Sequence, residues 1–591
     1  MSKNKYFVQF LSWRARKIPD TSFVLFLSVI IGFAAGIAAA LLKFIVISIK
    51  DKLLSYYGDS DDVLLFMVLP LLGILLTVLF LRYIVKDNVG HGVPRILYVI
   101  SKLDGSMRYH KIFSSLVGGS LTAGFGGSVG LESPIISTGA SIGSSIGQFL
   151  KMGYKHKTLL IGCGAAGAMA SIFTTPVAAV IFSFEVLMLD LTTASFIPLL
   201  FASVTGAVTA KLLTSEQYLV HFNVAQPFEI NDLPFFIILG VVGGFVSVYF
   251  HYMHFSIIRL FKKIKSVWAR LFVGGSLLGL VLYIFPPLFS EGYDSIRLIV
   301  SGHAEDLLHY TFLSESGFVW TLILFTIFLV VFKVIATTLT TEAGGVGGIF
   351  APAAVMGGYS GFALSKGLNE LFSSLGLHEN NFVLVGMATV LGGVLLAPLT
   401  AIFLVAEMSS GYQLIVPLML STSIAYLIAR TFNKHSIFTQ QLAEKGEMFH
   451  YRDQTVIKQM RIENLLEKDA RTISINSTLG DLVKTIKKSS RNFFAVIDDE
   501  GTFIGMVLLD DVRKDMFNRL KYKIPITDYL HQTHEDEKVT IENDVQEIVN
   551  KFYKSGNYNM IVVDGSKYVG IISRANLFKS YRESMLEETK E

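Results

Sequence analysis

The sequence predicts a mainly α-helical polytopic membrane protein followed by a small α/β module, and three observations carry that prediction. Of 591 residues, 52% are hydrophobic and 17% charged, and the mean hydropathy is +0.53, too apolar for an ordinary soluble chain. Apolar stretches long enough to cross a bilayer recur through the first 430 residues. After Arg430 charged residues become frequent and apolar runs shorten, which marks a soluble region.

Residues 1–21 interleave Lys3, Lys5, Arg14, Arg16 and Lys17 with Tyr6, Phe7, Phe10, Leu11 and Trp13, the pattern of an amphipathic segment lying on the membrane surface. Basic residues ahead of the first span place the N-terminus in the cytoplasm. The apolar stretch that follows is long and has no convincing processing site, so no cleaved signal peptide is expected. A membrane domain is expected over 22–435, with spans near 22–49, 63–84, 193–213, 233–258, 269–289, 316–340, 382–406 and 413–430. Segments 112–150 and 343–371 are interrupted by glycine and proline. Broken backbone survives at membrane depth only inside protein or beside a cavity, so these pieces read as half-length helices around a site. Cys163 stands between Gly162 and Gly164 and reads as a small packed side chain.

Residues 436–460 read as a linker. Beyond it, Phe494-Ala495-Val496-Ile497-Asp498 followed by Phe503-Ile504-Gly505-Met506-Val507 recurs as Met560-Ile561-Val562-Val563-Asp564 followed by Tyr568-Val569-Gly570-Ile571-Ile572. Each copy reads strand, turn, strand, helix. The copies resemble a pair of CBS domains, over 461–520 and 521–585. That resemblance implies an adenine nucleotide as a possible ligand, with Asp511 and Ser573 as the contact residues. The first copy has Leu508 where the hydroxyl would stand and the second has Asn576 where the acid would stand, so a purely structural or dimer-forming role is the alternative.

The membrane part also repeats. Gly130-Leu131-Glu132-Ser133-Pro134 matches Gly348-Ile349-Phe350-Ala351-Pro352, the frame continues through Gly139 and Gly143 against Gly357 and Gly361, and Pro176 to Glu185 matches Pro398 to Glu407. Two related halves with broken helices are a common transporter arrangement. Three segments can each restart a helix: Gly90-His91-Gly92-Val93-Pro94, Gly130 to Pro134 and Gly348 to Pro352. Glycine admits close approach of backbone amides, and proline suits a first helical turn. Several helix N-termini converging on one spot would bind an anion through unpaired N–H groups. Glu132 is a lone carboxylate in otherwise apolar surroundings, which marks a pathway group.

In that order the three segments resemble the signatures of the CLC family of chloride channels and proton/chloride antiporters, with the trailing CBS pair. The resemblance implies a homodimer of inverted repeats in the lipid bilayer, one anion pathway per subunit, and chloride as bound ligand. It also implies Glu132 as the gating glutamate, and Gly90, His91, Gly92, Gly130, Gly348, Ile349, Phe350 and Phe438 around the anion. Three departures from the family pattern stand out. His91 replaces a serine, and its ring either donates to the anion in place of the hydroxyl or is bonded within the turn. Phe438 replaces a tyrosine and offers bulk without a hydroxyl. Val186 stands where antiporters carry the acid that receives protons from the cytoplasm, so passive, gated chloride conduction is the expected function. The alternative is proton-coupled antiport through Glu132 and a different inner proton route. Glu185 and Glu407 read as helix-end or cavity residues.

A fluoride exporter is disfavoured because Pro134 is retained. A CBS-regulated divalent-cation channel would need acidic membrane sites, and the acidic cluster His531 to Glu537 lies in the soluble part. No phosphate-binding loop, HExxH or paired-cysteine motif occurs, so no enzyme, no metal site and no required cofactor is expected. A net charge of +4 is too small to imply nucleic-acid binding. The expected location is a prokaryotic plasma membrane, with the N-terminus and CBS pair cytoplasmic.

Overall fold

Apolar runs at membrane depth must satisfy every backbone N–H and C=O internally, and helices do so. A computed structural model describes the chain except residues 1–12, 15, 58–63, 88–91, 190–191, 215–221, 223–227, 310, 312, 314–317, 410, 445–459, 468–470, 490, 532–536, 556–557 and 589–591. It divides into two units, Met1–Tyr451 and Arg452–Glu591.

The first unit is helical. In order come α1 (Asp20–Tyr57), α2 (Leu64–Leu79), α3 (Gly92–Lys102), α4 (Lys111–Gly124), α5 (Glu132–Phe149), α6 (Tyr154–Phe173), α7 (Pro176–Glu185) and α8 (Thr193–Leu213). Then follow α9 (Leu233–Lys262), α10 (Val267–Ile284), α11 (Tyr293–Val300), α12 (Val319–Glu342), α13 (Phe350–Leu371), α14 (Glu379–Leu395), α15 (Pro398–Met408) and α16 (Ile415–Phe432). Among the described residues seven helices are long and apolar enough to cross a membrane: α1, α2 with its continuation to Val85, α8, α9, α10, α12 and α16.

The single span expected over 382–406 is not formed. Leu396 adopts φ 51° after α14, and Pro398 starts α15 two residues later, so the stretch is two shorter helices. The interruptions expected within 112–150 and 343–371 fall between Gly124 and Glu132 and ahead of Phe350.

The halves repeat in space as they do in sequence, α5 to α8 corresponding to α13 to α16. α5 lies against α6 at a distance that admits no side chain, since a Cβ at Gly143 would stand 1.9 Å from the Leu160 carbonyl oxygen. The same separation, 1.9 Å, holds between a Cβ at Gly361 and the Phe382 carbonyl oxygen where α13 meets α14. The starts of α7 and α15 are tied crosswise. Glu185, the last residue of α7, accepts from the backbone N–H of Leu399 at 3.1 Å and of Thr400 at 2.7 Å, and from the Thr400 hydroxyl at 2.7 Å. Glu407 accepts in turn from the N–H of Val177 at 3.1 Å and Ala178 at 2.9 Å. A carboxylate on an otherwise unpaired helix N-terminus is favourable both as a hydrogen-bond acceptor and against the helix dipole. Glu185 and Glu407 are thus structural braces of the repeat.

In the second unit β1 (Thr472–Ser474), β2 (Phe493–Ile497) and β3 (Phe503–Leu508) form one sheet, and β4 (Lys538–Thr540), β5 (Asn559–Asp564) and β6 (Lys567–Ser573) form another. In each, the first strand runs parallel to the second and the second antiparallel to the third. Helices Leu479–Ile486 and Val545–Ser555 bridge the parallel strands, as a parallel pair requires. The short helix Ile462–Leu465, which the sequence groups with the first copy, packs into the core of the second with Val539, Ile548, Phe552 and Val562. The copies also meet through the Phe503 N–H donating to the Ser566 carbonyl at 2.9 Å.

Candidate functional site

The two signature segments of the repeat meet each other. Gly130 N–H donates to the Gly348 carbonyl at 2.9 Å and Gly348 N–H to the Gly130 carbonyl at 2.8 Å, an isolated antiparallel bridge. Immediately beyond it α5 starts at Glu132 and α13 at Phe350. Pro134 and Pro352, third in each helix, carry no N–H. The amides free to face a ligand are therefore those of the first two residues of each helix.

These starts open into a cavity of about 50 Å³, room for small occupants only. Its wall includes Val93 and Pro94 from the first turn of α3, Glu132, Ser133 and Ile136 of α5, Phe182 of α7 and His254 and Ile258 of α9. Thr341 and Glu342 of α12, the run Gly347 to Phe350, and Ile437 with Phe438 complete it. Three helix N-termini thus point at one small volume, an arrangement that favours an anion without a charged ligand in contact.

Glu132 is 1% exposed. Its carboxyl turns back over the amides of its own residue and of Ala351 and faces the Tyr293 hydroxyl. Among the described residues no well-formed hydrogen bond reaches either carboxyl oxygen or the buried Tyr293 hydroxyl, although the Ala351 amide and Tyr293 stand close to the carboxyl. An unpaired carboxyl so deeply buried is costly, and is the mark of a group that changes state. Phe350 stacks on Phe173 at 5.7 Å, and Phe173 meets Tyr293 edge-on at 6.2 Å, so an aromatic wall backs the carboxyl.

The cavity brings together Glu132, Gly348, Ile349, Phe350 and Phe438. Gly130 does not line the cavity but abuts the carboxyl, since a Cβ there would lie 1.9 Å from Glu132 Oε2. Gly92 opens α3 with φ 23° and packs on Ser133, leaving its neighbours Val93 and Pro94 to line the site. Gly90 and His91 lie outside the described residues. Val186 is 5% exposed in the apolar core at the end of α7 and is not among the residues lining the cavity.

Several residues of the site were not singled out from the sequence. Lys333, fully buried in α12, donates to the Ser128 hydroxyl at 3.0 Å and the carbonyls of Leu288 at 3.2 Å and Ser290 at 3.1 Å, tying down the turn ahead of α5. Lys43 of α1 donates to the Ile172 carbonyl at 2.5 Å. Both ammonium groups lie near enough to act electrostatically on Glu132, adding positive potential behind the site. A lysine inside an apolar run is a visible sequence signal. Glu342, closing the apolar span of α12 just ahead of Gly344 and Gly345, is another.

In the second unit the candidate nucleotide contacts are engaged by protein groups. Asp511 Oδ2 lies 2.6 Å from His531 Nε2. The Ser573 hydroxyl donates to Glu467 at 2.5 Å and accepts from the Asn576 N–H at 3.0 Å. Among the described residues no cluster of three or more histidine, cysteine or acidic side chains is arranged to hold a metal ion.

A family model described as voltage gated chloride channel matches residues 72–430, and CBS domain models match 462–518 and 528–583. A ClcB-like chloride channel protein of Ralstonia nicotianae is 26% identical over 400 residues, 64% of this chain and 86% of that one. The H(+)/Cl(-) exchange transporter ClcA of Vibrio campbellii is 25% identical over 454 residues, 73% of this chain and 92% of that one. A solved eukaryotic CLC transporter superposes with a TM-score of 0.59 at 18% identity, over 94% of this chain and 97% of the other, which makes the fold common to both over membrane part and CBS pair.

Proposed function

Because this chain belongs to the voltage gated chloride channel family, the CLC proteins, whose members transport anions and are not enzymes, we propose that it exchanges chloride for protons through Glu132. The observation that carries the reading is the Glu132 carboxyl, 1% exposed and with no well-formed hydrogen bond among the described residues, in a small cavity at the start of three helices. Ionised, it is a tethered anion in the place where chloride would bind, and the helix N-termini favour either one. Like charges so close do not share the site, so chloride gains it when Glu132 takes a proton and leaves. One proton bound per departure links the two ions. The name of the Vibrio relative agrees with this reading.

Passive conduction is the second reading, and Val186 is the observation that favours it. Valine cannot hold a proton, and the acid that antiporters of the family carry there is missing. The Ralstonia relative bears a channel name.

In the homodimer that the family implies, each subunit would hold its own pathway. Arg82, Lys86 and Arg270 gather at one mouth of the membrane unit, and by the positive-inside tendency that mouth faces the cytoplasm, as the N-terminus does. An adenine nucleotide entering the CBS pair would compete with the His531 contact to Asp511 and the Glu467 contact to Ser573.

The test is reconstitution in liposomes. An outward chloride gradient, with no pH gradient imposed and the potential clamped, drives protons uphill in an exchanger. A channel moves chloride alone and reverses at the chloride equilibrium potential whatever the pH gradient, and that result would remove the exchange reading.

A further inference from the structure

The cavity that holds Glu132 has a second acid in its wall. Thr341 and Glu342, at the end of α12, line that cavity, and they also line a wider vestibule of about 670 Å³ whose wall includes Arg82, Lys86 and Arg270. Glu342 therefore stands at the boundary between the narrow site and a basic mouth open to water. Among the acids of the described residues, it is the one lining both spaces. It is partly exposed, with Arg270 and Lys262 near enough to attract it.

The other candidates are committed elsewhere. Asp87 lines the vestibule, but its carboxylate is held by Arg108 at 3.0 Å and His110 at 3.0 Å. His254 lines the inner cavity only, with Nδ1 2.9 Å from the Thr338 hydroxyl. Arg82 lies over the Trp268 ring at 5.7 Å, and an arginine does not give up its proton. Val186 is apolar and outside the cavity.

We propose that Glu342 is the proton acceptor on the vestibule side, standing in for the acid missing at Val186. The inference rests on the exchange reading. A proton from vestibule water binds the Glu342 carboxylate. It then passes through water in the cavity to Glu132, the O–H bond at Glu342 breaking as one forms at Glu132 and leaving Glu342 ionised again. Neutral Glu132 yields the site to chloride and sheds its proton on the far side. The surrounding groups fit both ions: Arg82, Lys86 and Arg270 draw chloride into the mouth, while Glu342 among them takes up the proton.

The experiment measures chloride efflux and proton uptake in parallel on liposomes holding wild-type protein, Glu342→Gln or Glu342→Asp. Loss of a positioned acid or base typically costs a factor of about 100 or more in proton transfer. The expected result is proton uptake in Glu342→Gln lowered at least tenfold relative to chloride efflux, with Glu342→Asp restoring much of the coupling. If Glu342→Gln keeps the wild-type ratio of protons to chloride, this role is overturned while exchange stands. If wild-type protein moves no protons uphill, the exchange reading falls and this role with it. Parallel loss of both fluxes in Glu342→Gln and Glu342→Asp would assign Glu342 to structure and overturn the inference as well.

Discussion

Replacing Glu132 with glutamine keeps the side-chain volume and removes the one charge that contends with chloride for the site. Carboxylate and chloride carry like charge and contend for the same helix starts around this cavity. The group is a single carboxyl, so one proton suffices to neutralise it. While most copies are ionised, the transport-competent fraction follows the proton concentration to the first power. Flux then rises up to tenfold for each pH unit of acidification, equivalent to about 1.4 kcal/mol per unit. Glutamine is neutral throughout, so Glu132→Gln should give a flat profile at the level that wild-type protein reaches when its carboxyl is protonated, and no uphill proton movement. Chloride efflux from liposomes at symmetric pH reads the slope directly. A Glu132→Gln protein retaining the wild-type slope would place the titrating group elsewhere and refute the tethered-anion account.

Three further outcomes follow from the structure. Glu185→Ala strips three hydrogen bonds from the start of α15, and at about 1.5–3 kcal/mol for each bond to a charged group, partly recovered by water, a loss of about 3–5 kcal/mol is expected. Glu407→Ala removes two such bonds and should lower the unfolding midpoint in detergent by less; equal or reversed effects would contradict the brace. Gly361→Ala places a methyl 1.9 Å from a backbone oxygen of α14. The helices must then part at a cost of about 1–3 kcal/mol or more, and a midpoint unchanged from wild type would deny the close approach. At the end of the first CBS copy the Asp515 carboxyl is held below the usual carboxylate range by Lys521 at 2.6 Å and then Tyr529 at 2.8 Å, which follow it in the chain. A depressed value stabilises above the unfolded pKa of about 3.9 and is lost as pH falls through the folded value. The midpoint gap between wild type and Asp515→Asn, read on the second unit, should therefore be present at neutral pH and close in strong acid.

What was legible in the sequence is what residue type dictates on its own. Glycine and proline at Gly130 to Pro134 and Gly348 to Pro352 announced two helix starts in one frame, and the structure joins the two through reciprocal bonds between Gly130 and Gly348. Hydropathy alone merged α14 and α15 into one span, because Leu396 and Ala397 are as apolar as their neighbours. The break lay in the repeat instead, since Pro398 matches Pro176, itself a helix start. β1 and β4 are three residues each, too short for alternation to show. Buried Lys43 and Lys333 were visible as charges, yet their hydrogen-bond acceptors lie on distant turns that only the assembled fold supplies.

The same distinction bears on channel against exchanger. Val186 closes one position to a proton, and along the chain that looks decisive because one position is all an alignment offers. In space the wall around Glu132 is drawn from six helices and two connecting segments, any of which can present an acid. Glu342 does so from α12, far from Val186 in sequence. An acid missing at Val186, outside that wall, therefore removes one proton route and leaves another open wherever an acid touches both the site and the water. Uphill proton movement by the wild-type protein decides between the two readings, and the ratio of protons to chloride in Glu342→Gln then tests whether the route runs through Glu342.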